Sequence, residues 1–217
     1  MPTHMIVVAG PKGGCGKTTT AANLVVAARL EGLDAAGIDL DPQGSFRMWA
    51  TDRSRLGRQP EVHVTTGRLR DWRDAVATAT ARLVVLDLAP GLDEEREALP
   101  LRSLARAAGL TLIPALAEGP TVRMLGDIGA ALGHAGARVA FVMNKTIAGR
   151  SILGDAKAYL ERRGELLGVE IPQRDAVHRA MDQGLAVVED PALGGYHQYL
   201  QLWRLVADRL SLKAEAA

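Results

Sequence analysis

Short apolar runs alternate with helical patterns along most of the chain. Several runs are apolar at consecutive positions, which predicts buried strands. The predicted strands are Met5–Ala9, Ala35–Leu40, Arg82–Leu88, Leu110–Leu116, Ala137–Met143 and Val169–Ile171. Because strands that are apolar on both faces are typical of parallel sheets, we expect a sheet that is covered on both sides.

Helical patterns fill most of the intervals between these strands. The clearest predicted helices are Thr18–Leu30, Glu94–Ala108 and Pro120–His134. Thr51–Pro60, with three arginines, predicts an irregular surface connection before a minor strand and helix. The alternation predicts an α/β fold, a doubly wound and mostly parallel sheet whose functional loops follow the carboxyl ends of the strands.

The last helical pattern carries an apolar stripe. Its members are Tyr196, Tyr199, Leu200, Trp203, Val206 and Leu210. Such a stripe favours a helix packed on the core. A membrane-surface helix is the alternative interpretation, although the charged positions nearby lack the basic face that such helices carry.

Composition narrows the class of protein. The chain has 217 residues, 47% of them apolar, and a formal charge of +1. These values fit one domain over residues 1–217 and exclude fibrous and disordered chains. Cys15 is the single cysteine, which excludes an internal disulfide and predicts a cytoplasmic protein. No run approaches the ~18 uncharged apolar residues of a membrane span, so we expect no integral membrane association.

A glycine-rich loop lies between the first predicted strand and helix. Strand, loop and helix together are the setting of a phosphate-binding loop, although Pro11 stands where the strict pattern has glycine. Backbone N–H groups of such a loop converge on phosphate oxygens, while Lys17 reaches the β- and γ-phosphates and Thr18 ligates Mg²⁺. The residues predicted to bind nucleotide here are Lys12, Gly13, Gly14, Cys15, Gly16, Lys17, Thr18 and Thr19.

Two carboxylates follow the second predicted strand. Asp39 and Asp41 are two positions apart and project to the same side, where one can support Mg²⁺ or Thr18 and the other can orient an attacking water. A turn that contains two aspartates for local reasons is the alternative interpretation.

Lys12 makes the sequence resemble the deviant Walker A ATPases of the ParA/MinD superfamily, which have a P-loop NTPase fold. In that class the matching lysine reaches the partner's phosphates across a nucleotide-sandwich dimer, so the resemblance implies catalytic roles for Lys12, Lys17 and Asp41. A solvated surface lysine is the alternative for Lys12. By the same resemblance Asp39 supports the metal, and Asp87 matches the Walker B aspartate that holds Mg²⁺.

Two further positions bear on the resemblance. Asn144 matches the position that contacts the adenine base of bound ATP, with a strand-terminal turn residue as the alternative. Leu88–Gly91 departs from the Asp-Thr-Pro-Pro form that is frequent in the family after the Walker B aspartate. The local structure of switch II is therefore not predicted.

The resemblance extends over nearly the whole chain and points to the small, ParF-like partition ATPases. It implies a domain without an amino-terminal helix-turn-helix. It also implies an ATP-bound homodimer that binds nonspecific DNA, associates with the nucleoid and positions a cargo. A ParB-like or adaptor protein would stimulate its hydrolysis of ATP, which depends on Mg²⁺. A MinD-like ATPase that works on a membrane surface is the alternative.

Support for DNA binding from the residues themselves comes from arginines in the last third of the chain. Dimerisation could double a modest basic patch into a phosphate-binding surface. A scattered, solvated face is the alternative interpretation. The candidate DNA-binding residues are Arg150, Arg162, Arg163, Arg174 and Arg179.

Overall fold

A computed structural model describes residues 4–91 and 95–212 and contains one seven-stranded sheet. The strands lie in the order β3-β2-β4-β1-β5-β6-β7, and every pairing among them is parallel. Their bounds are β1 His4–Val8, β2 Ala35–Asp39, β3 Val64–Thr66, β4 Leu83–Asp87, β5 Leu110–Ala115, β6 Val139–Thr146 and β7 Glu165–Pro172. The predicted α/β class is confirmed.

Helices connect the strands and cover both faces of the sheet. Their bounds are α1 Lys17–Leu30, α2 Ser45–Arg55, α3 Trp72–Ala77, α4 Glu95–Ala107, α5 Gly119–His134, α6 Ser151–Glu161, α7 Asp175–Asp182 and α8 Tyr196–Arg209. Short 3₁₀ turns occupy Leu69–Asp71 and Val187–Glu189. Glu94, where the sequence predicts the start of the fourth helix, lies outside the described residues.

The alternation of side chains along β1 creates two cores. Ile6 and Val8 pack on one face with residues of α1 and α8, whereas Val7 packs on the other with residues of α4. A third apolar cluster lies between β5, β6, α5 and α6. Because successive strand residues point to opposite faces, runs that are apolar at every position bury both sides of the sheet.

Strand order brings the predicted functional loops together. β1 lies between β4 and β5, and β2 lies on the other side of β4. In the register of β2 and β4, Asp39 is paired with Asp87, and Val8 of β1 is paired with Asp87 from the other side. The carboxyl ends of three strands therefore meet at one place, directly below the glycine-rich loop.

One prediction about local structure was wrong, and one predicted strand was too short. Thr51–Pro60 is not irregular throughout, because its first half completes α2, which ends at Arg55. The last predicted strand is longer than Val169–Ile171 and spans Glu165–Pro172.

The helix predicted near the end of the chain packs on the core. α8 buries Tyr199, Leu202, Trp203 and Val206 in the same cluster as α1. This confirms the core interpretation of its apolar stripe. Among the described residues, no helix combines the length and the apolar character that crossing a membrane requires.

Candidate active site

The glycine-rich loop folds as a tight turn in front of α1. Gly14 and Gly16 have φ values of 76° and 91°, which side chains other than glycine rarely adopt. A Cβ atom on Gly16 would lie 2.3 Å from Nδ2 of Asn144. Helix α1 begins at Lys17, so its unpaired N–H groups face the loop. This arrangement is suited to an anion such as a phosphate.

Lys17 lies inside the loop. Its side chain is buried, and its Nζ atom donates a hydrogen bond of 3.2 Å to the carbonyl oxygen of Lys12. The ammonium is thus held where the loop closes around a ligand, with a backbone carbonyl as its partner. A phosphate oxygen would be a stronger, charge-assisted acceptor than that carbonyl.

Thr18 and Asp87 form the site that fits a metal ion. The Thr18 hydroxyl donates a 2.6 Å hydrogen bond to Oδ2 of Asp87. The Oδ1 atom of Asp87 is buried and has no hydrogen-bond partner within residues 4–91 and 95–212. Burial is the main cause that raises the pKa of Asp87 to about 7, and the bond from Thr18 opposes it. A carboxylate oxygen without a partner next to a hydroxyl is the donor set that Mg²⁺ takes together with substrate phosphates.

No group of three or more His, Cys, Asp or Glu that could hold a metal ion occurs in residues 4–91 and 95–212. Mg²⁺ in phosphate-transfer sites needs only one or two carboxylates, because phosphate oxygens and waters complete its shell. The Thr18 and Asp87 pair is therefore compatible with Mg²⁺ that arrives with a nucleotide, and it is not a preformed metal cage.

Asp39 organises the loop after β2. It is buried, and its two oxygens accept N–H groups from Asp41, at 3.0 Å, and from Arg47, at 2.9 Å. Burial raises the pKa of Asp39, while these backbone N–H groups lower it. Asp39 therefore fixes the start of α2, and it lies beside Asp87 in the sheet register.

Asp41 is more accessible than Asp39. One of its oxygens, Oδ1, accepts the N–H of Gln43 at 2.9 Å, which closes a local Asx turn. Oδ2 of Asp41 has no hydrogen-bond partner among the described residues. The predicted role of Asp41 in orienting water and the alternative of a purely local turn both stay open.

Lys12 lies at the start of the glycine-rich loop, and its side chain points toward Glu118 instead of into the loop. Its Nζ atom lies 2.6 Å from Oε2 of Glu118, the residue before α5, and the two side chains are 47% and 52% exposed. The Lys12 ammonium is the first cause that lowers the pKa of Glu118. Sequence reasoning missed Glu118, because 106 positions separate it from Lys12 and no local motif marks it.

Asn144 supports the loop from the end of β6. Its Nδ2 atom donates to the carbonyl oxygen of Cys15 at 2.7 Å, and its Oδ1 atom accepts the N–H of Lys145 at 2.9 Å. The side chain is buried. In this structure Asn144 holds the loop backbone, and its predicted contact with the base stays a prediction.

The five candidate arginines lie on or next to two helices, and their role in binding DNA stays a prediction. Arg150 and Arg162 flank α6 at opposite ends, and its 11 residues span about 16 Å. Arg163 lies over the ring of Tyr159 and 3.8 Å from Asp127. The remaining two belong to another helix: Arg174 precedes α7 and Arg179 lies within it.

The chain matches the CobQ/CobB/MinD/ParA nucleotide binding domain over residues 6–187. No curated protein sequence matches it.

Solved structures share its fold at low sequence identity. The septum site-determining protein MinD from Pyrococcus horikoshii, complexed with Mg-ADP, has a TM-score of 0.79 at 18% identity and covers 98% of this chain and 99% of its own. A variant of McdA from Cyanothece in complex with ATP has a TM-score of 0.69 at 16% identity over 99% of this chain and 98% of its own. A plasmid partition protein from Borrelia burgdorferi has a TM-score of 0.68 at 16% identity and covers 95% of this chain and 100% of its own.

Proposed function

We propose a function from the premise that the chain belongs to the CobQ/CobB/MinD/ParA family of nucleotide-binding domains. The protein is an Mg²⁺-dependent ATPase of ParA type. It dimerises when ATP is bound, binds DNA nonspecifically as a dimer, and positions a cargo whose adaptor stimulates hydrolysis.

The observation that carries this proposal is the different placement of two lysines in one loop. Lys17 is buried and faces the space that a phosphate would occupy, whereas Lys12 is about half exposed and held outside by Glu118. Lys17 therefore contacts the nucleotide that is bound by its own chain. Lys12 can turn toward a nucleotide that is bound by a second copy, where a cation stabilises charge on the transferred phosphoryl group.

Exposed apolar side chains near the same edge of the sheet support dimerisation there. Each lies in a loop or in the first two turns of a helix that follows a strand's carboxyl end. They are Met48, Leu99, Ile147 and Ile152, and they are 51%, 75%, 44% and 40% exposed. Apolar surface of this kind, next to the site, favours contact with another protein surface.

The residues of the site have separate tasks in hydrolysis. Asp41 orients the attacking water through its free oxygen, and Lys17 stabilises charge on the β- and γ-phosphates. Thr18 and Asp87 hold Mg²⁺, which neutralises phosphate charge when it is bound. Turnover by a single copy is slow, because a second copy must dock and its Lys12 must leave Glu118 before the site is complete.

The candidate DNA-binding surface consists of the arginines on or next to α6 and α7, so a single copy offers only a few phosphate contacts. Two copies related by symmetry double each group. A surface of this kind binds through phosphates, so its affinity falls steeply with salt.

The first experiment measures binding to a nonspecific DNA duplex with ATP, with ADP and without nucleotide, at about 50 and 200 mM salt. Wild type, Lys12→Ala and Asp41→Ala are compared. Salt-sensitive binding that requires ATP and is lost in Lys12→Ala supports the proposal. Hydrolysis of ATP without DNA binding in any state overturns the DNA part. Binding to anionic vesicles would then favour the MinD-like alternative.

A second experiment separates dimerisation from chemistry. Sedimentation with a slowly hydrolysed ATP analogue is expected to give a dimer for wild type and Asp41→Ala, and a monomer for Lys12→Ala. A Lys12→Ala variant that dimerises and hydrolyses ATP like wild type would contradict the role of Lys12 between subunits.

A further inference from the structure

Arg53, near the end of α2, is buried to 1% exposure and uses every N–H of its guanidinium. Nε and Nη2 donate to the carbonyl oxygen of Pro60 at 3.0 and 2.8 Å, and Nη1 donates to that of Gly184 at 3.0 Å. Nη1 and Nη2 also form a two-point ion pair with Glu189 at 2.8 and 2.9 Å. The guanidinium lies 5.5 Å from the centre of the Trp49 ring. This end of α2 is fixed in place.

The partner segment of Arg53 is residues 184–189, here called the brace. Gly184 packs directly on the backbone of Arg53, since a Cβ atom there would lie 2.7 Å from the Arg53 Cα. Trp49 Nε1 reaches the carbonyl oxygen of Leu185 at 3.4 Å. The brace thus contacts α2 through both its backbone and Glu189.

The brace is also bonded to the helix of the phosphate loop. Asn23 of α1 accepts the N–H of Val188 at 3.2 Å, and its Nδ2 atom donates to the carbonyl oxygen of Thr19 at 2.8 Å. Asn23 is buried. One buried amide therefore connects the first turn of α1 with the brace.

Both helices held by the brace begin at the candidate active site. α1 starts with Lys17 and Thr18, and α2 starts just after the loop of Asp39 and Asp41. Asp39 accepts the N–H of Arg47 at the start of α2. Because α2 is a rigid rod of about 16 Å, a shift at its Arg53 end moves the Asp41 loop at its other end.

We propose that Arg53, Glu189 and Asn23 are positioning residues that set the spacing between Asp41 and the Lys17–Thr18 end of α1. The inference rests on the proposed ATPase function, since it concerns the geometry of that same site. Among the described residues, Arg53 and Glu189 form no hydrogen bond with a predicted site residue. The only such bond of Asn23 goes to the backbone carbonyl of Thr19. All three therefore act on turnover through the two helices.

The test uses full-length Glu189→Gln, Arg53→Lys and Asn23→Ala, with Leu160→Ala as the matched control. Leu160 is buried between α5 and α6 and lies in a separate apolar cluster, so its loss destabilises the fold without touching the brace. All assays are run at least ten degrees below the lowest Tm of the set. Glu189→Gln and Asn23→Ala keep the test valid if Arg53→Lys fails to fold.

Four quantities are measured: kcat for ATP hydrolysis, KM for ATP, affinity for a fluorescent ATP analogue, and hydrogen exchange of the backbone amides in residues 40–47. The brace variants are expected to lower kcat about tenfold while analogue affinity changes less than about twofold, because misplacement affects the reacting geometry more than ground-state binding. Exchange in residues 40–47 is expected to rise in these variants and to stay at the wild-type rate in Leu160→Ala.

Equal kcat and equal exchange in the brace variants and in Leu160→Ala would overturn the inference and leave the network a purely structural one. Wild-type protein without ATPase activity would overturn the proposed function instead. Hydrogen exchange at residues 40–47 would then still decide whether the brace controls the Asp41 loop, because that measurement needs no turnover.

Discussion

The Lys12 ammonium is bonded to Glu118, which precedes α5, while the Lys12 carbonyl is bonded to Lys17. The side chain and the backbone carbonyl of Lys12 thus bond to different partners. A ligand that attracts the Lys17 ammonium breaks the bond to the Lys12 carbonyl and loosens the front of the loop. Lys12 and Glu118 then remain connected only by an exposed ion pair, which contributes at most about 1 kcal/mol.

Glu118→Gln is expected to favour the ATP-bound dimer. The substitution removes the charge that holds Lys12 outside the site, so less free energy is needed to turn Lys12 toward a second copy. The dimer dissociation constant, measured by sedimentation with a slowly hydrolysed analogue, should fall about two- to fivefold, in line with the small strength of exposed pairs. In a Lys12→Ala background the same substitution should have no effect, and an equal effect there would contradict this explanation.

The stability of the protein without Mg²⁺ is expected to fall between about pH 4 and pH 7. Folded Asp87 keeps its proton up to about pH 7, whereas the unfolded residue releases it near 3.8, so folding takes up a proton in this window. The free energy of unfolding therefore decreases as pH rises, by up to about 4 kcal/mol, and levels off above pH 7. Urea unfolding across this pH range measures the change in the free energy of unfolding.

Asp87→Asn is the control for this pH dependence, because it removes the titrating group and keeps an oxygen that can accept the Thr18 hydroxyl. The variant should lose the slope between pH 4 and pH 7 and should be more stable than wild type at pH 8 without Mg²⁺. An unchanged slope would mean that other carboxyl groups, Asp39 first among them, cause the dependence.

Gly16→Ala is expected to disrupt the phosphate loop. An alanine at φ 91° is strained by about 1–3 kcal/mol, and its Cβ would displace Nδ2 of Asn144 from the Cys15 carbonyl. Affinity for a fluorescent ATP analogue should fall at least about tenfold, with a lower Tm. Gly154→Ala, in open space on α6, should instead raise stability by up to about 1 kcal/mol.

Arg162 and Arg163 are expected to differ in their contribution to DNA binding, although they are adjacent. Arg163 already lies near Asp127 and on Tyr159, whereas Arg162 has no such contacts among the described residues. In the DNA-bound dimer Arg162→Ala removes one phosphate contact from each copy, so it should reduce the slope of log affinity against log salt by about 2, and Arg163→Ala by much less. Equal losses from both variants would mean that Asp127 does not neutralise Arg163 when DNA binds.

The sheet could be predicted from the sequence because its strands are buried on both faces, which leaves continuous apolar runs. The sequence patterns of α2 and β7 are harder to recognise. Helix α2 turns Arg53 inward, so a charged residue occupies a core position and the helical pattern breaks there. Strand β7 is at the edge of the sheet, and Glu165, Gly168 and Glu170 interrupt its apolar residues, so it lacks the continuous apolar run of the central strands.

The candidate site was predictable where its residues are local in sequence. Lys17, Thr18, Asp39 and Asp41 belong to short motifs at strand ends, and the fold brings those ends together. Contacts between distant segments, such as that of Lys12 with Glu118, depend on the strand order. A single sequence does not specify which of several exposed carboxylates a lysine meets.

Helix α1, which follows the phosphate loop, is covered by α8, the last helix described. Ribosomes release a chain from its amino end, so the apolar back of α1 stays uncovered until α8 has been synthesised. The nucleotide site then reaches its final form only after α8 has emerged. Nascent chains that stall before α8 would present α1 to chaperones and have no finished site for ATP.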